Sequence, residues 1–277
     1  MTEYIIETKD LEFVYPDGTY ALRKLTISIQ KGKKIAIVGA NGAGKTTLFL
    51  NLNGVYKPTG GKVYFEGKEM IYNKKDILAL KRNIGIVFQD ANAQLFSASV
   101  FQEVSFGPMN LGLPKEEVRK RVEDALAKTG IAHLKKKPIH FLSGGQKKRV
   151  SIADILAMDP KVIFLDEPTA FVDPKTSSEL MAFFDVLNKE GKTIVLSTHD
   201  MDKVYPWADY VFVMKEGAVI AEGIPQDIFR DDEVLKRADL EKPWMIAAYE
   251  EIIKRKPYLS KEEVPKTKEA LFQLMTK

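Results

Sequence analysis

Cysteine is absent from the 277 residues. No disulfide framework and no cysteine-ligated zinc site is therefore available. Histidine is almost as scarce: His133, His140 and His199 are too scattered to suggest a metal cluster. Long apolar runs are missing too. The longest is Trp244–Tyr249, whereas a membrane-spanning helix needs about 20 residues, so no bilayer crossing is expected. Met1–Asp10 has no basic start and only a Tyr4-Ile5-Ile6 apolar core, so no secretory signal is expected. Nor does one charge dominate. Lys plus Arg is 42 and Asp plus Glu 38, a net charge of +4, too mild to argue for a nucleic-acid partner. The balance of 45% hydrophobic to 29% charged residues excludes a largely disordered chain. One large or two unequal domains in the cytoplasm are the default.

What the sequence does contain is a set of short, β-branched apolar runs: Lys34–Val38, Ile84–Phe88, Val162–Leu165 and Thr193–Leu196. Such runs suit strands buried on both faces. Helical patterns separate them. Leu113–Thr129 has Val118, Val122 and Leu126 on one face, with Pro114 and Gly130 as punctuation. Pro174–Asn188 has Asp173 as N-cap and Leu180, Phe183, Phe184 and Leu187 as its apolar face. Alternating strands and helices predict an α/β fold around a largely parallel core sheet. Ile5–Glu12, Thr26–Gln30 and Lys62–Phe65 read as an antiparallel β-subdomain with turns at Pro16-Asp17-Gly18 and Gly60-Gly61. Asp90–Pro138 reads as a helical insertion, and a small C-terminal extension begins near Asp239.

Gly39-Ala40-Asn41-Gly42-Ala43-Gly44-Lys45-Thr46 fits G-x-x-x-x-G-K-[ST], directly after a strand and before a helical stretch that opens at Thr47. Glycine-freed backbone N–H groups and a helix N-terminus suit phosphate oxygens. Lys45 would reach the β- and γ-phosphates, and Thr46 would ligate magnesium. Val162–Leu165 runs into Asp166 and Glu167: the first suits magnesium, the second a water-activating base. Gln89 and His199 close two further strands, so all these groups fall beyond strand carboxyl ends, where open α/β sheets bind ligands. A second anion surface lies in Leu142-Ser143-Gly144-Gly145-Gln146, with Ser143 as N-cap of the following helix. One chain already holds phosphates with Lys45, so this second surface suggests service to another copy's nucleotide.

These motifs resemble the ATP-binding cassette (ABC) ATPases, a P-loop family, over roughly residues 4–240. Gly39–Thr46 matches the family's Walker A, Asp166-Glu167 its Walker B and catalytic glutamate, Leu142–Gln146 its signature motif, Gln89 its Q-loop, His199 its switch histidine and Asp173 its D-loop. Tyr15, in Phe13-Val14-Tyr15-Pro16, matches the aromatic that stacks on adenine. The resemblance implies a head-to-tail dimer, with each ATP between Lys45 of one subunit and Ser143–Gly145 of the other. It further implies that Gly39–Thr47 cradle the nucleotide, that Thr46, Gln89 and Asp166 hold Mg2+, and that Gln146 and Asp173 serve the shared site. Departures are Asp154, where a small residue is common, and the bulky Ala170-Phe171-Val172 before Asp173.

Phe88-Gln89-Asp90, Gln94-Leu95-Phe96, Glu103–Pro108 and Leu111–Pro114 resemble the ATPase subunits of cobalt, nickel and energy-coupling-factor vitamin importers, with Ala91 where proline is frequent. This implies docking on the coupling helices of a membrane partner, with Leu95, Phe96, Phe101, Val104 and Phe106 as groove residues. It also implies a substrate-binding membrane protein, a second ATPase subunit (self or paralogue) and a place at the cytoplasmic face of the membrane. The helical subdomain is expected over about 90–160, and 241–277 as a dimer-stabilising extension using Leu271, Leu274 and Met275. A soluble ABC ATPase of DNA repair or translation is the rival reading, disfavoured by one cassette and no sustained heptads. Asn73-Lys74-Lys75-Asp76 fits the guanine-selecting N-K-x-D but precedes the second acidic strand, against the GTPase order.

Overall fold

A computed structural model describes residues 3–277. Its strands are β1 (Tyr4–Val14), β2 (Tyr20–Leu25), β3 (Ser28–Gln30), β4 (Lys34–Val38), β5 (Gly60–Phe65), β6 (Lys68–Glu69), β7 (Ile84–Val87), β8 (Val162–Asp166), β9 (Thr193–Thr198), β10 (Tyr210–Lys215) and β11 (Ala218–Gly223). The larger sheet runs β11-β10-β4-β9-β8-β7. It is parallel from β10 to β7, with β11 as an antiparallel edge. β7, β8 and β9 are buried at every position, which is why they read as continuous apolar runs rather than alternating ones. β10 was not among the expected core strands. It leads through Glu216-Gly217 into an antiparallel partner, so its surroundings read as a hairpin.

β2-β1-β5-β6, with β3 also on β1, form the antiparallel sheet. Gly60-Gly61 does not make the expected turn. Both glycines lie in β5, where the pairing to β1 shifts register between Lys9 and Glu12. At Gly61 (φ +75°) a Cβ would fall 2.1 Å from the Asp10 carbonyl oxygen, so glycine here marks a bulge. The helix Lys45–Leu52 is sandwiched between the sheets, with Phe49 stacked on Phe164 of β8 at 4.6 Å.

The other face of the parallel sheet is covered by the helices Pro174–Lys189 and Met201–Trp207, with Leu180, Phe184 and Leu187 turned inward as their spacing requires. Helices Val100–Asn110, Lys115–Lys128 and Gly144–Ala157 have their own core of Val100, Val104, Val122, Leu126, Val150 and Ala153. Leu95 and Val104 are buried here, which corrects their expected place in an open groove. Asn73 is a helix N-cap, accepting from the Asp76 backbone N–H at 2.8 Å. That gives the N-K-x-D string a structural role.

The C-terminal helices Trp244–Arg255 and Lys268–Thr276 fold back on the chain. Met245, Ile246, Tyr249, Leu259, Val264, Leu271 and Leu274 join the buried cluster of Val204, Tyr205 and Phe229. Leu271 and Leu274, expected to meet a second C-terminus, are thus buried within the chain itself; Met275 alone of the three is exposed. Among the described residues no helix is long and apolar enough to cross a membrane.

Candidate functional site

β4 delivers the chain into the loop Gly39–Gly44. Gly44 caps the helix Lys45–Leu52 in the left-handed conformation (φ +99°), and a Cβ there would sit 2.5 Å from the Ala21 carbonyl oxygen. No side chain caps this helix. Its first-turn N–H groups thus have no competing side-chain acceptor, the arrangement that suits phosphate. Lys45 is buried, and its Nζ donates to the carbonyls of Gly39 (2.7 Å) and Ala40 (3.1 Å). Burial holds its pKa below that of an ordinary lysine, while Glu167 and Asp166 oppose the shift. Tyr15 flanks the loop, its hydroxyl 2.8 Å from Thr47 Oγ1. Its ring is braced edge-on by Phe13 and Tyr56.

Beyond β8 stand the two acids. Asp166 Oδ2 accepts from Thr46 Oγ1 at 2.6 Å, and Oδ1 accepts from Ser197 Oγ. Glu167 has φ +43°, an unfavourable backbone for a non-glycine residue. It is held there by its N–H donating to the Ser197 carbonyl at 3.1 Å. Glu167 Oε2 accepts from Thr198 Oγ1 at 3.1 Å, and Oε1 lies 2.9 Å from His199 Nδ1. A cleft of about 450 Å³ is lined by Tyr15, Gly42–Thr47, Gln89, Asp166 and Glu167. Ala40, Asn41 and His199 line an adjoining cleft of about 510 Å³.

Ser143, Gly144, Gly145, Gln146 and Asp173 are not in that cleft. Ser143 and Gln146 form a reciprocal capping box at the start of the helix Gly144–Ala157. Gly144 faces the Phe171 carbonyl and Gly145 faces Thr176. Asp173 caps the helix Pro174–Lys189, accepting from the Thr176 N–H (2.9 Å) and hydroxyl (2.6 Å). These residues make a separate, partly exposed surface on the same chain.

Three supporting residues escaped the sequence reading. Ser197 and Thr198 orient the two acids from the neighbouring strand; a polar pair ending the apolar run of β9 was the available signal. Lys148 is buried, and its Nζ donates to the carbonyls of Phe88 (2.9 Å) and Gln89 (2.7 Å). Burial lowers its pKa to about 8. A lysine in the polar N-terminal part of a helix gives no sequence sign of such burial.

The cleft's oxygen donors suit a hard cation: the Thr46 hydroxyl, the Asp166 carboxylate and the Gln89 amide. Among the described residues no cluster of three or more acids or histidines forms a metal cage.

A glycine loop on a helix N-terminus, two acids at the end of β8 and a parallel sheet define a P-loop nucleotide hydrolase. The ABC transporter family model matches residues 22–170, and the chain belongs to that family of ATPases. It is similar to the energy-coupling factor transporter ATP-binding protein EcfA2 of Clostridium perfringens, with 51% identity over 257 residues, 92% of this chain and 90% of that protein. EcfA of Methanocaldococcus jannaschii is 49% identical, over 91% of this chain and 90% of its own length. Among solved structures, cbiO1 from Clostridium perfringens, part of the ABC transporter complex cbiONQ, superposes with a TM-score of 0.77 at 50% identity, covering 90% of this chain and 100% of that one. The ATP-binding cassette MJ0796, a dimer in a post-hydrolysis state bound to ADP and Pi, superposes with a TM-score of 0.73 at 29% identity, covering 79% of this chain and 98% of that one.

Proposed function

We propose that this chain is the ATP-hydrolysing subunit of an importer of the energy-coupling-factor or cobalt type, seated at the cytoplasmic face of the membrane. The observation that carries the chemistry is the meeting of Lys45, Asp166, Glu167 and His199 beyond adjacent parallel strands. Tyr15 stacks on adenine, and Gly39–Thr47 cradle the phosphates. Thr46, Asp166 and Gln89 would hold Mg2+, which when bound draws charge from the β- and γ-phosphate oxygens. Glu167 orients a water and takes its proton as the water oxygen bonds to the γ-phosphorus. The bond from that phosphorus to the β-phosphate oxygen breaks, giving ADP and phosphate. His199 stabilises charge growing on the γ-phosphoryl oxygens.

Ser143, Gly144, Gly145, Gln146 and Asp173 serve the nucleotide of a second ATPase subunit, either another copy or a paralogue. ATP then favours the closed dimer because its γ-phosphate supplies the differential contact that ADP lacks. A groove of about 840 Å³ supports docking on a membrane partner. Phe96, Phe101, Phe106, Met109 and Leu113 supply its apolar wall, with Phe96 and Phe106 in edge contact at 4.9 Å. The occupant proposed is an apolar coupling helix of a transmembrane protein, which in turn carries a substrate-binding membrane protein. Co-purification from gently solubilised membranes tests this. Recovery of polytopic membrane proteins whose presence stimulates ATP hydrolysis is the expected result; ribosomal or DNA-repair partners alone would overturn it.

A further inference from the structure

The helix Gly144–Ala157 begins at the surface that carries Ser143–Gly145 and holds Lys148 just over one turn inside. Lys148 is 2% exposed. A buried ammonium is costly unless its hydrogens find acceptors. Lys148 places two of them on consecutive carbonyls, those of Phe88 and Gln89, and Asp166 and Asp90 add favourable charge nearby. The same segment is gripped at two further points. Phe88 N–H donates to Gln94 Oε1 at 3.0 Å, and Gln94 Nε2 donates to the Ser151 carbonyl at 3.4 Å. Lys147 Nζ donates to Asn92 Oδ1 at 2.7 Å. Residues 88–94 are thus fastened to this helix beyond the end of β7, at Phe88. Gln89 lines the cleft with Asp166 and Lys45.

We propose that Lys148 is a positioning residue that sets Gln89 in its own chain's nucleotide cleft according to where the helix Gly144–Ala157 lies. A helix moves as a rod, with Lys148 only about 7.5 Å along the axis from Ser143. Seating Ser143–Gly145 on the second copy's nucleotide therefore shifts Gln89 in the first cleft. One ammonium group couples the two ATP sites of the dimer. This rests on the sandwiched-nucleotide reading given under the proposed function.

Lys148→Met keeps the stem and deletes both donors; Lys148→Gln keeps a donor. The purified full chain is assayed for hydrolysis against ATP concentration, and for ATP binding in EDTA at concentrations where it is monomeric. Lys148→Met is expected to lower kcat about tenfold and to flatten the sigmoidal ATP dependence, with single-chain ATP affinity within about twofold of the parent. Lys148→Gln is expected to fall between. Parental kcat and cooperativity in Lys148→Met would overturn the proposal. So would a matched loss of kcat and affinity with cooperativity retained, the signature of a merely structural role. Should Lys148→Met fail to fold, amide hydrogen exchange on the parent and on Glu167→Gln decides. Added ATP should protect residues 88–94 in step with 144–157, and protection of the helix alone refutes the coupling. If the parent shows neither ATP-dependent dimers nor sigmoidal hydrolysis, the sandwich reading fails first and takes this proposal with it.

Discussion

His199 Nδ1 lies 2.9 Å from Glu167 Oε1, a contact across the ends of two neighbouring parallel strands. It joins the group assigned to activate water with the group assigned to the γ-phosphoryl oxygens. Glu167→Gln keeps the shape and removes the base. Hydrolysis should fall by about a hundredfold or more, while ATP stays bound and holds a dimer visible by sedimentation. Near-parental turnover would remove Glu167 from its role. His199→Ala should lower kcat more than it raises KM.

Tyr15 has two separable functions. Its ring offers a stacking face, and its hydroxyl meets Thr47 Oγ1. Tyr15→Phe should bind ATP nearly as the parent does. Tyr15→Ala should bind it about tenfold more weakly, the value of a lost aromatic stack. Isothermal titration separates the two, and equal affinities would place the adenine elsewhere.

Phe106 is 48% exposed on the apolar groove, so a charge there leaves the fold undisturbed. Phe106→Asp should lower partner-stimulated hydrolysis and uptake by about tenfold or more, while basal ATP binding by the isolated chain is unchanged. Uptake at the parental rate would exclude the groove as the docking surface.

Asp154 is packed among protein atoms near Glu103. Burial, then repulsion from Glu103, raises its carboxyl to about 7 from an ordinary 3.8. Between those values the folded chain keeps a proton that the unfolded chain has released. This residue's contribution to stability is therefore greatest below about pH 4, falls as pH rises, and levels off above about pH 7. Asp154→Asn should leave the melting temperature at pH 4 unchanged and raise stability at pH 8 by roughly 1–3 kcal/mol, discounted for partial exposure. Equal shifts at both pH values would assign the effect to packing instead.

The cleft was legible because its chemistry is local. Gly39–Thr46, Gln89, Asp166-Glu167 and His199 each sit at the end of a segment whose apolar run announces a strand. Gly61 was misread because glycine serves turns and bulges alike, and β10 went unread because an apolar run before Glu216-Gly217 fits a hairpin as well as a core strand. Leu95 and Val104 share the composition of Phe96 and Phe106 but face inward, a distinction made by helix packing and not by residue type. Lys148 was invisible because its acceptors lie about 60 residues away in sequence.

The C-terminal helices are anchored close to His199. Trp244 N–H donates to Asp202 Oδ1 at 2.8 Å, and the Tyr205 hydroxyl donates to the Val264 carbonyl at 3.3 Å. Asp202 and Tyr205 lie on the helix that starts two residues after His199. The tail thus works as ballast for the helix that follows His199. Trimming the protein to a minimal cassette would strip Met245, Ile246, Tyr249, Leu271 and Leu274 from the interior at once. Loss of activity in such a trimmed chain would report a loosened histidine before it reported anything about pairing.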